Sequence, residues 1–193
     1  MLNETNEVIV KSANFTQAPI AEILSFRKKQ YRNRRLDYLC EIGTVEEENE
    51  SRVDQRSHHF WAEYNFEIIG SLRTTPHPFE LTALAAAFSE LATAYQSHLE
   101  FSRFVVRADT QNPILSKKLL ENAFLYARQQ YLGVIAVCRT PQRRLFERFG
   151  LRAIHQTAIT LPKRNNGDYW ILEGNCDEVT RFVLNRDASK NHL

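Results

Sequence analysis

The chain has 193 residues, a length at which one domain buries roughly 70% of the surface its unfolded form would expose, without a disulfide or metal staple. Charged residues are 25% and apolar residues 43%, which excludes a disordered or fibrous chain. Lys plus Arg is 25 against 23 for Asp plus Glu, so the net charge of +2 implies no overall polyelectrolyte attraction to nucleic acid or membrane. Cys40, Cys138 and Cys176 are odd in number and far apart, so neither a zinc knuckle nor a disulfide framework is expected, and a reducing compartment is the simplest setting. The opening MLNETNEVIVKS carries acids and no long apolar core, unlike a signal peptide. The uncharged run Leu81–Phe88 is too short to span a bilayer. A cytoplasmic protein forming a single domain over residues 1–193 is expected, with no linker or repeat to divide it.

In chain order, Val8–Val10 predicts a short strand and Ala18–Arg34 a helix, with Ile20, Ile23, Leu24, Arg27 and Tyr31 at helical spacing. Glu41–Arg56 is polar and glutamate-rich and predicts a loop. His58–Tyr64 and Phe66–Arg73 predict two strands joined by a tight turn at Asn65. Pro76 and Pro78 break the chain before a helix over Glu80–Tyr95. Glu100–Val106 predicts a strand, and Pro113 sits in the first turn of a helix running to Tyr131, with Gly133 as its stop. Val134–Cys138 predicts a strand buried on both faces, with Cys138 a core residue rather than a nucleophile. Pro141 opens a short helix closed by Gly150 at the left-handed cap. Strands Arg152–Leu161 and Tyr169–Leu172 and a helix over Asp177–Leu184 complete an α/β pattern with mixed pairing.

Three stretches can carry chemistry. In Glu100-Phe101-Ser102-Arg103-Phe104-Val105-Val106, strand alternation sends Phe101, Arg103 and Val105 to one face and Ser102, Phe104 and Val106 to the other. Glu100 and Arg103 then pair only across an edge or through a bulge; the plainer alternative is a surface Glu and a structural Arg in an ion-pair network. The turn Ala108–Pro113 feeds a helix whose first amides suit a phosphate, or it is an ordinary turn, since it has no glycine. The third stretch is Val134–Arg139 followed by Leu145-Phe146-Glu147-Arg148-Phe149-Gly150-Leu151.

With these stretches the chain resembles the GNAT superfamily of N-acyltransferases. Phe104 and Val106 fit the fourth-strand pattern of that family and Gln111 its Arg/Gln, while Ala108 stands for its Pro and Ile114 and Ser116 for its two glycines. Leu145, Gly150 and Leu151 fit the later family pattern, with Arg139, Gln142 and Phe146 in place of its Asn, Ala and Tyr. That Tyr is often the general acid, a role vacant here. Within the superfamily the chain looks most like the autoinducer (acyl-homoserine-lactone) synthases and related N-acyl amino acid synthases. Arg27 and Tyr31 match their Arg-x-x-x-Phe helix, Gly70 and Arg73 their Gly-x-x-Arg strand end, and Glu100, Ser102, Arg103 and Phe104 their Glu-x-Ser-Arg-Phe strand. Asp54 matches the last acid of their Asp-rich loop, whereas Asn49 and Ser51 replace the earlier two. Those losses speak against S-adenosylmethionine as acceptor and for an acyl amino acid or other acyl amide as product.

The resemblance implies a mixed, mostly antiparallel central sheet flanked by helices, with the fourth and fifth strands splayed apart. It implies an acyl thioester donor, acyl-CoA or acyl carrier protein, whose pantetheine arm pairs with the backbone of Phe104, Val105 and Val106, and a small amine acceptor. Glu100 is then the candidate base, and Arg27, Arg73, Arg103 and Asp54 the substrate-binding residues. Gln111, Asn112, Ser116, Lys117 and Arg139 lie toward the donor's phosphate end. No metal is expected, because His58 and His59 are adjacent and point to opposite faces of a strand. The helix carrying Leu84–Phe88 either walls an acyl tunnel or is plain core. Arg27, Lys28, Lys29, Arg32, Arg34 and Arg35 are followed by Glu41, Glu46, Glu47, Glu48 and Glu50, so mutual neutralisation on a solvated face is expected rather than nucleic-acid binding. Arg139, Arg143, Arg144 and Arg148, with Lys117 and Lys118, either solvate helix faces or meet coenzyme A phosphates or an acidic carrier protein. Two other readings stay open: a short-chain acetyltransferase using acetyl-CoA, and a non-catalytic acyl-thioester-binding module.

Overall fold

A computed structural model describes residues 7–36, 51–81, 93–107, 113–161 and 167–181. The chain divides into two compact units, residues 1–73 with 103–122 and residues 74–102 with 123–193.

In the first unit, strand β1 (Ile9–Asn14) pairs antiparallel with β2 (His58–Tyr64), with Ile9 opposite Glu63 and Asn14 opposite His58. β2 turns into β3 (Glu67–Pro76) through Asn65 and Phe66, both left-handed at φ 49 and 62, the geometry a two-residue hairpin loop needs. Strand β4 (His98–Val106) follows β3 in the sheet order, and just beyond it the Arg107 amide donates to the Ile69 carbonyl at 2.8 Å. Helix α1 (Ile20–Asn33) buries Ile23, Phe26, Arg27, Gln30 and Tyr31, and Phe26 and Tyr31 pack with Val105, Leu36 and Ile68. The start of helix α2 (Pro113–Arg128) lies over Gly70. A Cβ there would stand 2.7 Å from Leu119 Cδ1, so the glycine is required by close helix-to-strand approach.

In the second unit, β4 pairs in parallel with β5 (Gly133–Arg139), from His98 opposite Gly133 to Phe101 opposite Ala136. β5 pairs antiparallel with β8 (Gly167–Asn175) along its whole length. β6 (Arg152–Ala153) and β7 (Ile159–Leu161) also pair antiparallel with β8. Helix α3 (Thr140–Glu147) follows β5. The core gathers Phe79, Leu81, Ile135 and Ile171, with Phe124 tilted against Phe101 at a centroid distance of 4.9 Å and stacked on Phe149 at 5.6 Å. Gly150, at φ 91, takes the left-handed position expected of it at the end of the short helix.

The sheet is thus mixed and mostly antiparallel, with β4–β5 as its parallel pair, as expected. Several local expectations change. Residues 51–55, expected as loop, are helical: a glutamate-rich run lacks apolar periodicity, and Val53 and Asp54 alone turn inward. β1 is longer than Val8–Val10. Arg152–Leu161 is two strands, β6 and β7, separated by bends. α2 ends at Arg128, short of Tyr131. Of the helix expected over Glu80–Tyr95, residues 80–81 and 93–94 are helical, and Leu84–Phe88 lies outside the described residues. So do Cys40 and the glutamates from Glu41 to Glu50. The final helix covers 176–181 among the described residues.

Candidate active site

The strand that carries most of the candidate chemistry changes character half-way. β4 is in register with β5 only as far as Phe101 and Ala136, although β4 runs on to Val106 and β5 to Arg139. Immediately beyond, Arg103 adopts φ 53. A long L side chain in the left-handed region in mid-strand costs on the order of 1–3 kcal/mol and is held only by its surroundings. Alternation breaks there: Phe101 and Ser102 are both buried, Arg103 and Phe104 both half-buried, and Val105 is buried again. The two-face assignment expected of an ideal strand therefore ends at Ser102, and the strand beyond it is re-aimed as a bulge would do.

In the second unit Glu100 is 1% exposed. Its Oε2 accepts from the Glu80 amide at 2.7 Å and its Oε1 from the Leu81 amide at 3.1 Å. Both oxygens therefore hold the backbone where residues 80–81 begin a helical segment, capping amides that have no intrahelical partner. The expectation of a base did not include this anchoring contact.

In the first unit Arg27, Asp54 and Arg73 come together, at 1%, 1% and 0% exposure. Asp54 Oδ1 accepts from Arg73 Nη1 at 2.9 Å and faces Arg27 Nη1 at 3.4 Å. Arg27 Nε also donates to Ser71 Oγ at 3.2 Å. Burial alone would raise the Asp54 carboxyl, but the guanidiniums of Arg73 and Arg27 outweigh it and hold it below its ordinary value. His59, wholly buried, donates from Nε2 to the Asp54 carbonyl at 3.0 Å. Burial, and then the charge of Arg27, push its pKa down to about 4, so the ring is neutral at pH 7. Two guanidiniums thus face one carboxylate. Arg27 Nη2, Asp54 Oδ2, Gln30 Oε1 and His59 Nδ1 have no hydrogen-bond partner among the described residues.

Arg27, Asp54 and Arg73, chosen separately from the sequence, thus form one cluster. Ser71, His59 and Gln30 were missed. Ser71 lies between Gly70 and Arg73, and the buried His59 follows the half-buried His58 on β2, but a polar residue on a strand carries no signal of its partner. The donor-side candidates are more scattered. Gln111 and Asn112 lie outside the described residues. Ser116 and Lys117 are half-buried on α2, with Lys117 paired to Glu121 at 3.1 Å. Arg139 is exposed at the end of β5. Phe104 and Val106 are half-buried. Of the second basic group, Arg143 stacks over Trp170 at 3.7 Å and pairs with Glu147, while Lys118 meets Glu7 at 3.3 Å. Cys138 is buried and its thiol is pushed up to about 12 by that burial, as a core residue should be. Among the described residues no three His, Cys, Asp or Glu side chains gather to hold a metal, and no helix is long and apolar enough to cross a membrane.

The profile of the acetyltransferase (GNAT) family matches residues 20–151. The chain belongs to the GNAT family. It is an acyltransferase by that membership, and GNAT enzymes draw their acyl group from acetyl-CoA or another acyl-CoA. No curated protein matches this GNAT chain in sequence. Among solved structures it is similar to FeeM, an N-acyl amino acid synthase from uncultured soil microbes, with a TM-score of 0.73 at 10% identity over 92% of this chain and 94% of that one. It is similar to BjaI, a CoA-dependent acyl-homoserine lactone synthase, with a TM-score of 0.68 at 15% identity over 93% and 89% of the two chains. The acyl-homoserine lactone synthase LasI gives 0.62 at 12% identity over 87% and 90%. At these identities the likeness is one of fold.

Proposed function

We propose that this GNAT protein moves an acyl group from an acyl thioester, on coenzyme A or on an acyl carrier protein, to the amine of a small acceptor bearing a carboxylate. The observation that carries the reading is the end of the β4–β5 register at Phe101 and Ala136, with Arg103 left-handed just beyond. A strand released from one neighbour offers backbone groups to a pantetheine arm over Phe104, Val105 and Val106. A backbone N–H there polarises the thioester carbonyl and stabilises the oxyanion that forms on attack. The amine nitrogen bonds to the carbonyl carbon, the carbon–sulfur bond breaks, and the thiolate leaves and takes up a proton. Glu100 receives the ammonium proton in this reading, through a water. Arg27 and Arg73 hold the acceptor's carboxylate, with Arg103 as a third candidate. The pair of guanidiniums beside Asp54 supports that assignment, since guanidiniums bind carboxylates in two-pronged fashion. Gln111, Asn112, Ser116, Lys117 and Arg139 serve the donor's phosphates, and one domain over residues 1–193 serves the whole reaction.

Thermal unfolding with coenzyme A, acetyl-CoA and longer acyl-CoAs tests the donor. A ligand at about 100 times its dissociation constant adds about 2.7 kcal/mol, a shift of roughly 5–10 °C at this size. Thiol release from the best donor then tests the acceptor. Amino acids are expected to exceed their own carboxamides by roughly tenfold or more in kcat/KM, the worth of one charge-assisted contact. Equal rates would remove the arginines from the acceptor site. Binding without thiol release from coenzyme A or carrier thioesters would leave a binding module.

A further inference from the structure

The tip of the β2–β3 hairpin is built against expectation. Asn65 and Phe66 are both left-handed, and Phe66, at φ 62, occupies the place where such a loop favours glycine. Phe66 is 100% exposed, so among the described residues no packing contact compensates for either the backbone conformation or the apolar surface. Beside it runs a groove of about 690 Å³ whose apolar lining is Pro19, Ala21, Phe26, Ile68 and Phe66 itself. Knob and hole thus sit side by side on one face of one unit.

The charges around the groove divide in two. On the hairpin side they are matched: Glu63 with Lys11 and Glu67 with Arg107. On the α1 side, Glu22 and Lys29 are exposed and have no ion-pair partner among the described residues. They stand seven residues apart on one face of α1, two turns or about 10.5 Å. Between them lies Ser25, and Ala21 precedes, so the ridge is low and admits a second helix closely.

We infer that this face is a two-fold interface between copies of this chain, with each Phe66 seated in the other's groove. Two-fold symmetry requires a patch complementary to itself, and a knob beside a hole satisfies that. With the two-fold axis crossing α1 at right angles near Ser25, the two α1 helices run antiparallel and Glu22 of each copy meets Lys29 of the other. α1 carries Arg27 on its opposite, buried face, so the interface braces the helix that contributes to the arginine cluster. The inference stands apart from the acyltransferase reading and is tested without an activity assay.

Sedimentation equilibrium of the full chain, with F66G, E22K, K29E and the E22K/K29E double variant, decides it. The wild type is expected to be a dimer with a dissociation constant below about 100 µM. F66G and each single charge reversal should weaken it by roughly tenfold or more, as loss of a central contact does. The double variant should recover most of the loss, because it restores the opposite-charge pair across the two-fold. F66G should unfold no earlier than wild type at low protein concentration, since glycine accepts a left-handed φ. A wild-type monomer at about 100 µM, a dimer indifferent to F66G, or a double variant no better than its parents would each overturn the inference.

Discussion

Asp54 and Glu100 are both carboxylates withdrawn almost wholly from water, at 1% exposure each, and the two units stabilise them in opposite ways. Asp54 is met by two guanidiniums brought from α1 and β3, residues 27 and 73. Glu100 is met by the adjacent backbone amides of Glu80 and Leu81. The first is a contact of full charges, strong in a poorly screened interior and dependent on three distant segments arriving together. The second is a contact of one charge with peptide dipoles at the start of a helical segment, weaker and supplied by backbone. The first sets guanidinium donors beside a carboxylate, and guanidiniums are groups that an anionic ligand can use.

The largest effect should come from removing the shared acceptor. Asp54→Asn removes the carboxylate that buried Arg27 and Arg73 share and should cost about 3–5 kcal/mol, read by urea unfolding. A loss below about 1 kcal/mol would mean that the cluster is solvated in solution. Acid should weaken the same region next. His59 titrates near 6.5 when unfolded but near 4 when folded, so between those values the unfolded chain binds more protons and stability rises with pH. Denaturant titrations at pH 7 and pH 4 should differ by about 3 kcal/mol from this group. The depressed carboxyl of Asp54 adds a further loss as the pH falls below the ordinary aspartate value and through its folded one. A flat profile from pH 7 to pH 4 would refute the neutral, buried histidine.

The smallest structural effect belongs to Glu100. Glu100→Gln keeps one acceptor but turns an NH2 group toward a backbone N–H, a loss of about 1–3 kcal/mol seen as a lower Tm. Its kinetics sharpen the comparison further. If Glu100 is the base, the variant loses about 10²–10⁴ in kcat and the acid limb of the pH–rate profile disappears. A modest loss with an unchanged pH profile would leave Glu100 as an anchor alone, on a par with its two amide contacts.

The strands and helices nearest the candidate site were largely legible before the structure. β2, β3, β4, β5 and α1 follow local rules of alternation, helical spacing and turn residues, which act over a few positions. Gly70 and Arg73 stood out as a motif, and the structure supplies the reason for each: one lets α2 close on β3, the other binds Asp54. Residues 51–55 were not legible as helix, because a single turn reading Ser-Arg-Val-Asp-Gln holds one apolar residue and so no stripe to betray it. Nor was the left-handed Arg103, since no rule of local preference places a long side chain there.

Composition and periodicity alone establish a globular α/β chain with a strand-rich centre, because burying apolar residues at period 2 or 3.6 is a local demand on order and spacing. The candidate arginines and acids could be named at that level too, as residue types in strands and helices. Which of them meet was decided only by the tertiary structure. A buried charge is tolerated where its counter-charge arrives, and residues 27, 54 and 73 arrive together only once α1, the helical turn at 51–55 and β3 are packed. The same holds for the two carboxylates: the sequence contains both, and the packing alone assigns one to guanidiniums and the other to backbone.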